Sequence, residues 1–232
     1  AIRLPNKPIK KINNKEMILH VYEAAKKSNI GEVIVASPNQ QIYELVTSAK
    51  GICVKTRLDH KTGTDRIFEV FDKFLKRKPQ TIINLQGDMP NIQPKSISKL
   101  EKLMRENNFS VGTLASPIIN KSDFTNQNIV KVQVHEKLQN NNFLEAIDFF
   151  RSKKDLKNQI IYHHIGIYAF TYEALLRYVN LKRSNLEIER NLEQMRALQN
   201  KINIEVGFTS SSPLSVDTYE DLEKIRSMMS KN

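Results

Sequence analysis

Short apolar runs that alternate with helix-length amphipathic stretches do most to narrow the fold of this sequence. Val33-Ile34-Val35-Ala36, Ile52 to Thr56 and residues 81–86 read as strands, with helices near 39–49, 64–76 and 94–107. Within 64–76, Ile67, Val70, Phe71 and Phe74 share one side. An earlier helix is expected where Asn13 caps and Glu16 answers three residues on, its apolar face made by Met17, Ile18, Val21, Ala24 and Ala25. Strands interleaved in this way with helices pack as an α/β fold: a doubly wound, mostly parallel (mixed) sheet flanked by helices.

After residue 110 the rhythm changes. Val111 to Ala115 and Ile129 to Val134 read as strands with no long helix between them. An Asn-rich stretch, 139–142, leads to Phe143–Phe150 as the returning arm of a hairpin. A strand over 160–170 follows, then helices near 171–180 and 186–199, a strand at Ile202–Val206 and a closing helix over 218–229. No repeat and no Gly-, Ser- or Pro-rich linker divides the chain. The expectation is a single domain over 1–232 with a small β insertion near 116–160. A doubly wound nucleotide fold ordinarily opens on a central strand. None precedes Ala1-Ile2-Arg3, so that first strand is expected to lie outside this sequence.

Composition removes several classes of function. No apolar run is long enough to span a bilayer, and no signal-peptide pattern opens the chain. A single cysteine, Cys53, cannot form an internal disulfide or a Cys-rich zinc site, which favours a reducing, cytoplasmic setting. Net charge is +11, from 36 Lys and Arg against 25 Asp and Glu, which suits an anionic partner. The basic residues are scattered and no nucleic-acid-binding signature accompanies them, so a nucleic-acid-binding protein is only a distant alternative.

Leu85-Gln86-Gly87-Asp88-Met89-Pro90 carries the densest chemical signal. It follows a strand and places Asp88 at the carboxyl end, where open α/β sheets bind ligands. A carboxylate there suits Mg²⁺, which takes one or two protein carboxylates beside phosphate oxygens; an ordinary strand-ending turn fits the same residues equally well. Arg3-Leu4-Pro5-Asn6-Lys7-Pro8 holds two cations in a loop stiffened by two prolines, fit for triphosphate or for a solvated tail. In His60-Lys61-Thr62-Gly63-Thr64-Asp65-Arg66, either Thr62 or Thr64 can cap the following helix, whose first N–H groups can meet a base edge or an anion. His163 and His164 are adjacent on a strand and face opposite ways, so they cannot chelate one metal together. Arg151 can hold a carboxylate or lie on the surface, while Glu193, Gln194 and Arg196 read as the exposed side of an amphipathic helix. Asp217 precedes the last helix and suits an N-cap or, alternatively, a shared Mg²⁺ with Asp88.

In order along the chain, these motifs resemble one family, the CMP-Kdo synthetases (3-deoxy-manno-octulosonate cytidylyltransferases). The match is carried by Arg3-Leu4-Pro5-x-Lys7-Pro8, Thr62-Gly63-Thr64-Asp65-Arg66, Gln86-Gly87-Asp88-x-Pro90 and Arg151 after paired aromatics. It continues through His164-x-Gly166-Ile167-Tyr168, Leu192-Glu193-Gln194-x-Arg196 and Val216-Asp217-Thr218-x-Glu220-Asp221-Leu222. The resemblance implies a nucleotide-diphospho-sugar transferase-like fold and a cytoplasmic, homodimeric, Mg²⁺-dependent enzyme of lipopolysaccharide synthesis. Its reaction would join CMP from CTP to Kdo. Lys7 and Arg3 would contact the CTP phosphates, with Thr62, Gly63, Thr64 and Arg66 at the nucleotide pocket. Asp88 and Asp217 would hold Mg²⁺ and, with Lys7, carry catalysis. Gln86, Arg151, His164, Tyr168, Glu193 and Gln194 would line the sugar site, and 116–160 would help form the dimer. A cytidylyltransferase for an amino-modified Kdo or another nonulosonic acid is the neighbouring alternative. The sequence departs from the family pattern at Ala1, where Ser is common, and at Ser37-Pro38, where Thr-Asp is usual.

Overall fold

Asn13 and Asn14 both sit at positive φ, 49° and 66°, and fold the chain into a tight hairpin. The computed structural model describes residues 4–74, 78–153, 156 and 158–230. The hairpin pairs strand β1 (Lys11–Ile12) with β2 (Lys15–Glu16), Ile12 opposite Lys15. This corrects the expected cap at Asn13. A two-residue hairpin turn of type I′ needs positive φ at both central positions, and consecutive asparagines tolerate that better than other non-glycine residues. Helix α1 (Met17–Lys27) begins only after the hairpin, with Glu16 at its N-cap making no side-chain capping bond.

The described residues form two compact units, one comprising Ala1–Leu75, Gln86–Ser98 and Pro213–Asn232, the other Lys76–Leu85 and Lys99–Ser212. In the first unit, β3 (Ile34–Ser37) and β4 (Ile52–Lys55) run parallel, joined by α2 (Gln40–Ser48). Asn39 caps α2 by accepting from the N–H groups of Gln41 and Ile42. Helix α3 (Gly63–Phe74) follows, and residues 75 and 76 of the helix expected there lie outside the described residues. Ile42, Val46 and Cys53 form one apolar cluster, joined by Ile9, Ile18 and Val35.

The second unit is built on one sheet. Its strands are β5 (Ile82–Leu85), then, after α4 (Pro94–Asn107), β6 (Val111–Ser116), β7 (Lys131–Val134), β8 (Phe143–Glu145), β9 (Asp148–Phe150) and β10 (Ile160–Phe170). Helices α5 (Tyr172–Val179), α6 (Asn185–Arg190) and α7 (Met195–Gln199) lead to the last strand, β11 (Glu205–Phe208). Helix α8 (Tyr219–Met229) returns to the first unit. The strand order is β8-β11-β6-β10-β7-β9, with β5 also paired to β10. The sheet is mixed, as expected, but not mostly parallel: β6 and β11 run parallel and the other pairs antiparallel, because β10 lies antiparallel between its neighbours. Helix α4 lies close on β6 because Gly112 has no side chain; a Cβ there would come within 2.5 Å of Met104 Sδ.

Three sequence expectations need correction in this unit. The hairpin expected between 129–134 and 143–150 does not form as one pair: β7 pairs with β9, whereas β8 pairs with β11. The stretch 116–160 therefore supplies three strands to the common sheet. The last strand lies at 205–208 rather than 202–206. The helix expected over 186–199 is broken by Asn191, which takes a left-handed conformation at φ 51° and ends α6.

That break turns Arg196 inward. Its guanidinium donates twice to Glu187, from Nε to Oε2 and from Nη2 to Oε1, both at 2.8 Å, and lies 4.6 Å from the centre of the Tyr178 ring. Glu187 also accepts from Arg183 Nε at 2.8 Å. Burial pushes the Glu187 carboxyl up, but the two arginines outweigh it and hold the group below its ordinary value. The Tyr178 hydroxyl donates to the Glu193 carbonyl at 2.8 Å and so fixes the turn after α6. Removing one partner of a buried ion pair leaves the other charge poorly compensated. Arg196→Met is expected to lower stability by about 3–5 kcal/mol, read as a drop in the urea midpoint; an unchanged midpoint would show the pair to be dispensable.

Candidate active site

Lys7 binds two carboxylates at once. Its ammonium donates to Asp88 Oδ2 at 2.9 Å and to Asp217 Oδ1 at 3.0 Å, across sequence separations of 81 and 210 residues. All three side chains are mostly buried, at 12%, 16% and 29% exposure. All three belong to the first unit, as does the scaffold that gathers them. Asn6, at φ 53°, opens the one-turn 3₁₀ helix Lys7–Ile9, which Pro8 stiffens. Asp88 lies in the turn after Leu85, and its carbonyl accepts from the Val216 N–H at 2.9 Å. Asn91 Oδ1 accepts from the Leu214 N–H at 3.0 Å, so two bonds hold 88–91 against 214–216. Gly87 is not at positive φ; a Cβ there would meet the end of Ile18 at 2.8 Å.

Asp217 is not the cap of α8. Thr218 takes that role, its hydroxyl accepting from the Asp221 N–H while Asp221 Oδ2 accepts from the N–H groups of Thr218 and Asp217. The Asp217 carboxylate is thereby left to Lys7. Burial draws the Lys7 ammonium down, but Asp88 and Asp217 outweigh it and hold its pKa above the ordinary value. The two carboxylates thus already converge on one shared cation, the Lys7 ammonium. The donor set fits Mg²⁺, a hard ion that takes one or two carboxylates and completes its shell with phosphate and water oxygens. Among the described residues no group of three or more His, Cys, Asp or Glu could hold a metal.

The Thr62–Arg66 segment is folded for capping. Thr62 Oγ1 accepts from the Asp65 N–H at 3.1 Å and donates to Asp65 Oδ2 at 2.7 Å, while Thr64 is buried at the first turn of α3. Arg66 donates to Thr56 Oγ1 at 2.6 Å and to the Arg57 carbonyl at 2.8 Å, tying the end of β4 to α3. The loop between them is pinned by Glu69, which accepts from the Arg57 N–H at 2.9 Å, His60 Nε2 at 2.5 Å and Lys73 Nζ at 2.7 Å. Sequence reading missed Glu69, because nothing in its spacing separates it from a solvated helical charge. Arg3 lies outside the described residues.

Except for Gln86, which is exposed in the first unit, the residues assigned to the sugar lie in the second. A bulge between Ile165 and Tyr168 shifts the register of β10 on β6. Thr113 serves this bulge, donating to the Ile167 carbonyl at 2.7 Å, and its oxygen lies 3.0 Å from His164 Nε2. Burial, with the charge of His163 behind it, holds His164 at about 3, so the ring is neutral near pH 7 and donates to Thr113 rather than acting as a cation. Its ring lies 5.0 Å from Phe149 and 5.3 Å from Tyr168. The Tyr168 hydroxyl is buried with no hydrogen-bond partner among the described residues. Burial, then the charge of Glu193, holds it well above its ordinary pKa, so it is a protonated donor. His163 faces the other way, with Nδ1 2.8 Å from Ser212 Oγ. Glu193 and Gln194 lie in the turn between α6 and α7, with Gln194 buried rather than on an exposed helical face. Arg151 donates to the carbonyls of Gln127 and Asn128 at 3.1 and 3.3 Å.

A mixed α/β sheet and a lysine set between two loop-borne carboxylates define a nucleotidyltransferase of the nucleotide-sugar type. A family profile described as Cytidylyltransferase matches residues 2–204, and the chain belongs to that family. A 3-deoxy-manno-octulosonate cytidylyltransferase of Bartonella henselae is 39% identical over 230 residues, covering 99% of this chain and 94% of the relative. The enzyme of that name in Thermodesulfovibrio yellowstonii is 42% identical over 239 residues, covering 96% and 91%. A solved structure of CMP:2-keto-3-deoxy-manno-octonic acid synthetase complexed with CTP superposes with a TM-score of 0.86 at 34% identity, covering 100% of this chain and 94% of that one.

Hydrogen bonds from Lys73, opposed by burial and reinforced by His60 and the Arg57 N–H, hold the Glu69 carboxyl down at about 2. A depressed carboxyl contributes stability that is complete above its ordinary pKa and lost as pH falls through the folded value. Glu69→Gln is therefore expected to be less stable than wild type at pH 7, the gap closing between its ordinary 4.5 and about 2. Urea unfolding across that range measures it, and a gap independent of pH would contradict the assignment.

Proposed function

We propose that this chain transfers the cytidylyl group of CTP to 3-deoxy-manno-octulosonate and releases pyrophosphate. The cytidylyltransferase family supports the reading, and the gathering of Asp88 and Asp217 on one cation is the observation that carries it. The sugar's anomeric oxygen attacks the α-phosphorus, its proton is lost, and the bond to the β-phosphate oxygen breaks. Such transfers depend on alignment and charge neutralisation more than on covalent help from the protein. Asp88 and Asp217 are the residues to hold Mg²⁺, which when bound supplies a Lewis acid for the phosphate and sugar oxygens. Lys7 then leaves the carboxylates for the phosphates and, with Arg3, neutralises the departing pyrophosphate. Thr62, Gly63, Thr64 and Arg66 shape the nucleotide pocket, with Glu69 holding their loop.

Toward the sugar we assign Gln86, Arg151, Tyr168, Glu193 and Gln194, the Tyr168 hydroxyl acting as a donor. His164, held neutral, orients through Thr113 rather than pairing with the sugar acid. The same reading makes the enzyme a cytoplasmic homodimer using 116–160 at its interface; the exposed Ile119 and Ile147 in that stretch support this, and sedimentation equilibrium measures it. Among the described residues no helix is long and apolar enough to cross a membrane. Comparing pyrophosphate release across Kdo, amino-modified Kdo and other nonulosonic acids separates the neighbouring substrate readings.

Asp88→Asn is expected to stay folded and to lose about three orders of magnitude in CTP- and Kdo-dependent pyrophosphate release; ordinary turnover by the folded variant would refute the role. Lys7→Met removes the ammonium that occupies both carboxylates. Mn²⁺ binding to the nucleotide-free protein, followed by electron paramagnetic resonance, is expected to tighten about tenfold, because the competent state no longer competes with a lysine-bound one. No gain in affinity would mean that Lys7 and the ion do not share these oxygens.

A further inference from the structure

Four consecutive carbonyls, those of residues 126–129, accept hydrogen bonds from two cationic side chains. Lys131 Nζ donates to the Asn126 carbonyl at 2.5 Å and the Ile129 carbonyl at 2.9 Å, and Arg151 takes the Gln127 and Asn128 carbonyls between them. The third proton of Lys131 goes to the main-chain carbonyl of Arg151 itself, at 2.7 Å. Lys131 is wholly buried on β7, opposite Phe150 of β9 and His163 of β10. An ammonium is rarely buried unless it is paired, and here backbone carbonyls satisfy all three of its protons. The two cations are held differently. The Lys131 bonds are short and shielded, whereas the two that the partly exposed Arg151 guanidinium makes to Gln127 and Asn128 are longer. A carboxylate offers such a guanidinium a stronger, bidentate partner than two separate carbonyls do.

We infer that Lys131 is a positioning residue: by clamping the 126–129 carbonyls and the main chain of Arg151 together, it sets where the Arg151 guanidinium waits for the carboxylate of the sugar. This rests on the reading of Arg151 as that carboxylate's partner. A neutral amine has two protons for three acceptors and no charge to strengthen them, so the clamp loosens when Lys131 deprotonates. Burial, then the neighbouring Arg151 charge, draws Lys131 down to about 8, Asp123 opposing them. His163, the other titratable group facing it, is held at about 4 by burial and stays neutral through the range that matters.

Steady-state pyrophosphate release with CTP and 3-deoxy-manno-octulosonate, from pH 7 to pH 9.5 on the intact protein, tests the inference. The sugar KM of the wild type should climb as pH passes about 8. The KM for CTP and kcat should hold within about a factor of two, since the clamp acts on sugar binding alone. Lys131→Met should show a sugar KM raised about tenfold or more already at pH 7, with no further climb. A sugar KM in the wild type that is flat across the range overturns the inference, and does so without relying on the fold of any variant. So does a Lys131→Met enzyme in which both KM values rise together, which marks a purely structural lysine. Arg151→Ala separates the two layers. If it leaves the sugar KM unchanged, the reading of Arg151 falls and the inference with it; if it raises that KM while Lys131→Met does not, the inference falls alone.

Discussion

One ammonium held by two carboxylates is the contact on which the rest of the site depends. Asp88 and Asp217 carry like charge at close range, and without a cation between them their repulsion would oppose the turn that brings them together. Lys7 supplies the cation, and the attraction outweighs the cost of drawing the lysine out of water, as its raised pKa records. Beneath it, Leu4, Ile12, Met17, Val216, Leu222 and Ile225 form one fully buried cluster, so the core that stabilises the unit also fixes the segments bearing Lys7 and Asp217. The buried cluster and the charged trio rest here on the same few segments of chain.

In the second unit the organising device is a bulge. An unbroken ladder between β10 and β6 would give each strand residue a fixed partner and leave no carbonyl for a side chain. The shift between Ile165 and Tyr168 frees carbonyls, and Thr113 gives its one hydroxyl proton to that of Ile167. The same hydroxyl engages His164, while the buried Tyr168 hydroxyl has no hydrogen-bond partner among the described residues. Neutral His164 and protonated Tyr168 have the same origin: burial disfavours the charged form of either group. Cations are handled in the opposite way. Arg196 is matched to Glu187, and Lys131 to three carbonyls, so each charge is compensated where it is buried.

Local chemistry explains which parts of this were legible beforehand. The helix over 94–107 and the strands near 34, 52, 82 and 111 stand where alternation and apolar periodicity put them, because those signals are local. The misreadings came where two local preferences competed. Asn13 can cap a helix or turn a hairpin, and a second asparagine beside it decided for the turn. Thr218 and Asp217 are both good caps, and the pairing of Thr218 with Asp221 left Asp217 to Lys7. Arg196 looks exposed on a helical wheel, yet the left-handed Asn191 turns it under α6. Glu69 and Lys131 gave no signal at all. Glu69 and Lys73 are four apart like any solvated helical pair, and the burial of Glu69 and the carbonyls around Lys131 are set by folding, not by a sequence pattern.

By itself the sequence determined the α/β class, the ordered motifs that mark a cytidylyltransferase, and the residue types able to serve a metal–phosphate reaction. Those are properties of composition, spacing and local propensity, each readable within a few positions of the chain. Tertiary structure alone decided that Asp88 and Asp217 meet on Lys7, that β8 leaves its neighbour for β11, and which charged side chains are inside. The reason is physical. Contacts between residues 81 and 210 positions apart arise only when burial of a shared core repays the entropy of closing the chain, and no local preference carries that balance.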